Sequence, residues 1–160
     1  MIILSIDPGV ERVGYALFNK KAKQSFSFLS AGLIQTKKSS TTSDRFKEIY
    51  LELEIIITTN KPEKIILEKL FFFKNKKTLI SVAQAQGVIM LIASQNSIPI
   101  VFFTPLQIKQ IITGYGRADK QTIQKMLRLT LGNIKEILQD DTADAIACGL
   151  SYCYWNEELA

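Results

Sequence analysis

The order in which two hydrophobic periods follow one another limits what this chain can fold into. Residues 2–6, apolar but for Ser5, read as a buried strand, and residues 13–19 and 25–36 read as two further strands, with a turn at Asp7-Pro8-Gly9 before them. The pattern then changes. Phe46, Ile49, Tyr50, Leu53, Ile56 and Ile57 recur at helical spacing through residues 43–59, and Lys61-Pro62 stops that helix. Residues 65–67 are a short buried strand ending at Glu68. Residues 79–95 are a helix apolar nearly all round, and residues 100–103 are another strand. Thr104-Pro105 opens a helix that Gly114 ends, Asp119 caps one running to about residue 131, and Asp140 or Asp141 caps the last, to about residue 154. A hairpin-rich start followed by alternating helices and short strands predicts an α/β fold, with a mixed central sheet and helices on both faces. The 160 residues suit one domain, 1–160, with a core that needs no disulfide or structural metal.

The chain has no histidine. That excludes Ser-His-Asp and Cys-His triads, histidine general bases and the usual histidine-containing zinc sites. Cys148 and Cys153, alone, cannot complete a zinc site and read as free buried thiols. Hydrolytic chemistry must come from carboxylates, lysines, hydroxyls or oxygen-ligated metals. The longest strictly apolar run, residues 88–93, is too short for a bilayer, and MIILSID lacks the marks of a secretory signal, so a cytoplasmic protein with no membrane partner is expected.

The net charge of +5 is unevenly spread. No acidic residue lies between Glu11 and Asp44 or between Glu68 and Asp119, whereas residues 136–158 are predominantly acidic. A basic body with isolated carboxylates suits a polyanion, although a lysine surface also serves solubility. Four acids stand apart by context. Asp7 ends the first strand before a Pro-Gly turn, Glu68 closes a buried Ile-Ile-Leu strand, and Asp141 and Asp144 are spaced i, i+3 on the last helix. Singly, each aspartate reads as a turn or helix-start residue, while Glu68 should be partly buried and in need of a partner. Together, on three elements, they suggest a metal site. Two carboxylates at ~4 Å repel by ~4 kcal/mol at an effective dielectric of ~20, and divalent cations turn that repulsion into binding.

SIDPG followed by VGYALF, then IILEKLFFFKN, AQAQGV, PLQIKQIITGYGRADKQTIQ and DDTADAIACGL resembles the RuvC-type Holliday junction resolvases, from Ile2 to about Tyr152. DPG alone is weak, since sugar kinases and actin-like ATPases share that strand-turn. The resemblance implies an RNase H-like fold whose sheet has three antiparallel N-terminal strands plus two parallel ones. It implies a homodimer acting on four-way junction DNA in recombination and repair, nicking opposing strands symmetrically with Mg²⁺ (or Mn²⁺), two ions per active site. Asp7, Glu68, Asp141 and Asp144 match the catalytic, metal-ligating acids. Lys109 and Lys120 match lysines near the scissile phosphate, and Phe71 the aromatic that stacks on unpaired bases. A branch-migration motor is a further implied partner. Gln86 stands where arginine is common, Lys69 where glutamine is, and the chain ends on Glu157-Glu158-Leu159-Ala160 without a basic tail.

Among the basic residues, Lys74, Lys76, Lys77 and Arg117 join Lys109 and Lys120 as candidate DNA contacts. Phe71-Phe72-Phe73 is expected to give at least one core side chain. The helix over residues 79–95 is expected to form part of a two-fold seam, with Ala85 as a position to probe it. The competing readings are a catalytically inactive junction-binding or nucleic-acid-binding relative, an actin-like ATPase, and a nuclease acting on RNA–DNA hybrid.

Overall fold

The computed structural model describes residues 1–70, 76–132, 134–135 and 139–155, with the side chains of residues 76–78 left aside. Phe71, Phe72, Phe73 and Lys74 lie outside the described residues, as do the side chains of Lys76 and Lys77. In chain order the elements are β1 (Ile2–Asp7), β2 (Arg12–Ala22), β3 (Ser25–Gln35), α1 (Thr42–Asn60), β4 (Lys64–Glu68), α2 (Lys76–Gln95), β5 (Ile100–Phe103), α3 (Pro105–Thr113), α4 (Lys120–Leu131) and α5 (Asp140–Tyr154).

The sheet order is β3-β2-β1-β4-β5. β1 and β2 pair antiparallel, as do β2 and β3, while β4 lies parallel to β1 and β5 parallel to β4. The expected mixed sheet is therefore present. Alternation along each strand sorts side chains to two faces. Leu4, Ile6, Val13, Leu17, Ile65 and Leu67 pack with Ile49, Leu53 and Ile57 of α1 and Ile89, Ile92 and Ala93 of α2. Ile3, Ala16, Phe18, Ile66 and Phe103 pack with α3, α4 and α5 on the opposite face.

That parity positions the acids. Asp7 shares the face of Ile3, Glu68 that of Ile66, and Arg12 and Gly14 that of Ala16, so all four belong to the layer that holds α5. α5 is the central helix of that layer and is buried almost continuously from Thr142 to Cys153. Ser5, fully buried, donates its hydroxyl toward the carbonyls of Ala145 (2.7 Å) and Ala16 (3.2 Å), tying β1 and β2 to the helix. A Cβ on Gly149 would stand 2.4 Å from Ser5 Oγ and 2.7 Å from Phe18, so only glycine permits the approach. Both cysteines are free and buried.

Thr41, Thr104 and Asp119 cap α1, α3 and α4 through side-chain oxygens, with a full capping box at Thr104 and Gln107. Lys61, in the left-handed region at φ 48°, and Gly114 close α1 and α3. The last helix differs from expectation. Gln139 is its N-cap and makes no side-chain cap bond, so Asp140 and Asp141 are first-turn residues, not caps. Their carboxylates still favour the positive end of the helix.

α2 begins at Lys76, three residues earlier than the apolar period shows, because a polar first turn carries no hydrophobic signal. It is also more one-sided than its composition suggests. Ala85, Ile89, Ile92 and Ala93 are buried within the protomer, while Ile80, Ala83, Gly87, Met90 and Leu91 face outward. Ala85 is thus a core position and not a probe of a seam. Among the described residues no helix is long and apolar enough to cross a membrane.

Candidate active site

β1 and β4 run parallel in register to Ile6↔Leu67, so Asp7 and Glu68 end neighbouring strands at the same rim. Ligands of open α/β sheets bind at such carboxyl ends. The first turn of α5 meets that rim because β2 lets it in. Gly14 pairs with Asp7 across β1 and β2, and a Cβ there would lie 2.0 Å from the Asp141 carbonyl oxygen. A glycine inside a strand commonly marks such a close backbone approach. Asp141 and Asp144, one turn apart, then face the strand-end acids.

The four carboxylates line one cleft of about 440 Å³, together with Arg12, Lys69, Leu70, Val82 of α2 and Pro105 of α3. Burial, then the charges of Asp144, Glu68 and Asp141, push Asp7 up to about 8. Burial and Asp144 push Glu68 up to about 7. Asp144 is also raised, mainly by burial. Asp7, Glu68 and Asp144 therefore resist ionisation in this buried, negatively charged setting. Cys148, one helical turn beyond Asp144, lies beneath the group; burial and the charges of Glu68 and Asp7 hold its thiol well above the ordinary value.

The ion pairs of the cleft fall on the α5 acids. Arg12 Nη1 stands 3.8 Å from Asp141 Oδ2. Lys120 Nζ stands 3.4 Å from both Asp144 Oδ2 and Asp140 Oδ1. Partial burial works against the charge on Lys120, but Asp144 and Asp140 outweigh it and its pKa is raised. Asp7 and Glu68 have no such cation within pairing range among the described residues. Among those residues, too, no three acidic or thiol side chains form a ready-made metal cage. The donor set nonetheless fits a hard divalent cation: four carboxylates at one rim, two of them held protonation-prone by burial and then by their neighbours' charges.

Of the expected DNA contacts, Lys109, Arg117 and Lys120 lie among the described side chains. Lys120 is in the acid group, and the charge of Lys109 on α3 reaches Glu68 and opposes part of the rise that burial and Asp144 impose. Arg117 sits exposed in the connection between α3 and α4, and neither it nor Lys109 lines the cleft itself. The sequence reading missed Arg12 and the spacing role of Gly14. The glycine had a signal, an isolated Gly in a strand pattern, whereas nothing in one sequence says which acid an exposed arginine meets. Gln86, buried, directs its amide toward the Glu68 carbonyl at 3.4 Å, so it braces the glutamate's backbone.

The family model described as crossover junction endodeoxyribonuclease RuvC matches residues 3–152. A crossover junction endodeoxyribonuclease RuvC of Petrotoga mobilis is 44% identical over 156 residues, covering 98% of this chain and 94% of that protein. One from Caldicellulosiruptor saccharolyticus is 43% identical over 152 residues, covering 95% and 92%. The structure of T. thermophilus RuvC in complex with Holliday junction substrate superposes with a TM-score of 0.87 at 26% identity, covering 96% of this chain and 93% of that one. The yeast mitochondrial Holliday junction resolvase shares the fold, with a TM-score of 0.64 at 11% identity, covering 96% of this chain and 79% of that one. By the family match and by relatives of nearly equal length, this chain belongs to the RuvC family of crossover junction endodeoxyribonucleases.

Proposed function

We propose that the chain acts as a single nuclease domain that resolves four-way DNA junctions, nicking opposing strands symmetrically with Mg²⁺, in recombination and repair in the cytoplasm. The observation that carries this reading is the convergence of Asp7, Glu68, Asp141 and Asp144 from three elements on one basic-rimmed cleft. Two Mg²⁺, replaceable by Mn²⁺, would be held by these four acids, and there they supply neutralisation of the acid group, a polarised phosphate and an activated water. The chain's own groups do the rest. Lys109 and Lys120 draw the phosphate toward the acids, and Leu70, Val82 and Pro105 narrow the space open to water. Asp7 and Glu68, set on adjacent parallel strands, form a floor, and the acids of α5 are held against it by Gly14 and Ser5. The direct test is incubation with a mobile four-way junction and Mg²⁺, mapping both nicks. Cleavage of an RNA–DNA hybrid instead, or binding without any nick, would select one of the competing readings.

The spacing role of Gly14 is testable separately. Gly14→Ala forces the first turn of α5 away from β2. Overpacking of this kind costs about 1–3 kcal/mol, and a shift of ~1 Å in reacting groups costs about 100-fold in rate. Junction cleavage by this variant is expected to fall by that factor while a melting curve still shows a cooperative transition. Unchanged cleavage would remove the role.

A homodimer belongs to the same reading. The outward face of α2 carries Ile80 (59% exposed), Met90 (47%) and Leu91 (54%), with the small Ala83 and Gly87 between them. Small residues permit close helix approach, and an apolar stripe of this length on a helix whose other face is already buried suits an interface. Val82 of the same helix lines the cleft, so a seam here would tie the spacing of two clefts to one rigid element. Leu91→Glu is expected to leave the protomer folded, shift sedimentation to the monomer, and convert paired nicks to single ones. Paired nicking by a monomeric variant would overturn the dimer.

A further inference from the structure

We propose that Arg12 is a phosphate-binding residue of the cleft whose availability is set by the divalent cation: paired with Asp141 when the acids are metal-free, and released to the DNA backbone when a cation takes Asp141. This rests on the reading of the cleft as a metal-dependent junction site. Three observations lead to it. Arg12 and Gly14 are two residues apart on β2 and face the same way, so the strand that presses on the Asp141 backbone through Gly14 also delivers Arg12 to the Asp141 carboxylate. The contact is loose: Nη1 and Oδ2 are 3.8 Å apart, beyond hydrogen-bond reach, and the Arg12 side chain is 59% exposed. Its neighbour Glu11 faces elsewhere and pairs with Arg45, so Asp141 is the acid that restrains Arg12 among the described residues.

An exposed pair of this kind is weak. A divalent cation competes for the same carboxylate and leaves the guanidinium at the mouth of a cleft whose ligand is a phosphodiester. A guanidinium matches two phosphate oxygens at once, an arrangement that an ammonium does not reproduce. The device links cation and DNA binding. In the metal-free protein Arg12 is internally neutralised and adds nothing to the counterions displaced by DNA; with the cation in place it adds one contact per protomer.

The test measures junction binding against salt concentration, in EDTA and in Ca²⁺, for the wild type, Arg12→Gln and Arg12→Lys. Ca²⁺ is the probe because it takes carboxylate oxygens readily. In Ca²⁺ the slope of log affinity against log salt is expected to be shallower by about 0.9 per protomer for Arg12→Gln than for the wild type. In EDTA the two slopes are expected to coincide. Arg12→Lys, which keeps the charge, should keep the wild-type slope in Ca²⁺ while binding a few-fold more weakly. Equal slopes for wild type and Arg12→Gln in both media would show that Arg12 does not reach phosphate. An equal difference in both would show a contact indifferent to the cation. Either result overturns the proposal while leaving the site reading intact, whereas a wild type that fails to prefer the junction in either medium overturns that reading and this one with it.

Discussion

Asp7→Asn, Glu68→Gln, Asp141→Asn and Asp144→Asn are each expected to reduce junction nicking about 1,000-fold or more, ~4 kcal/mol of lost transition-state stabilisation, while junction binding survives. The two outcomes separate because the cleft divides its labour. The acids stand at the rim formed by β1, β4 and α5, and the cations that would hold DNA stand around them on α3 and α4. Each substitution keeps the shape of the side chain and removes a carboxyl that can become negative in a place that must admit a phosphate. Metal-free binding should therefore hold or tighten. The two pairs of acids should differ in a second respect. Asp141→Asn releases Arg12 from an exposed ion pair, which costs ~0–1 kcal/mol of stability, while in Asp144→Asn the loss of the Lys120 pair is offset by relief of a carboxyl that burial holds above its ordinary value. Asp7→Asn and Glu68→Gln relieve buried, mutually repelling carboxyls and should stabilise the metal-free fold. Nicking and binding of a labelled junction, beside melting curves, measure all of this. A variant that cleaved at the wild-type rate would lose its acid as a ligand.

The sheet and the acids were legible because both rest on local pattern. Short apolar runs marked the buried strands and put Asp7 and Glu68 at their ends. The i, i+3 spacing put Asp141 and Asp144 on one face of a helix. What the pattern could not give is set by contacts between distant elements. Ser5 looks like an ordinary small residue in an apolar strand, yet its hydroxyl binds a carbonyl 140 residues away. Gly14 has a local signal for a close approach but none for its partner, the Asp141 backbone. The composition of α2 reads as apolar all round, and only packing against α1 and the sheet separates its buried stripe from the exposed one. Asp140 and Asp141 read as caps because acids favour helix starts, but Gln139 takes the N-cap and the carboxylates remain for Lys120 and Arg12. From the residues alone the lysines were legible as charge, and the family resemblance singled out Lys109 and Lys120. None of Lys109, Arg117 and Lys120 lines the cleft itself, but Lys120 meets two acids directly.

The metal-free protein is expected to lose stability as the pH rises from about 4 to 8, and Mg²⁺ is expected to restore it, with the largest restoration at the upper end. In the unfolded chain Asp7 and Glu68 titrate near 3.8 and 4.5; in the fold they reach about 8 and 7. Across that window the folded state holds protons that the unfolded state has released, so these groups make unfolding easier with each step upward in pH. Their penalty is absent below the unfolded values and complete above the folded ones. For Asp7 the full difference is on the order of 3 kcal/mol once the repulsion it shares with its neighbours is counted only once. A cation that binds only the folded acids opposes this by mass action and displaces their protons as it does so. The clean measurement is a difference: the melting temperature of Asp7→Asn minus that of the wild type, in EDTA, at several pH values. It should be near zero around pH 4 and grow to several degrees by pH 8. Adding Mg²⁺ should narrow the gap by raising the wild type more than the variant. A wild type whose metal-free melting temperature gains on the variant between pH 5 and 8 would mean that Asp7 ionises without strain, and the crowded acids could no longer be read as a site built around cations.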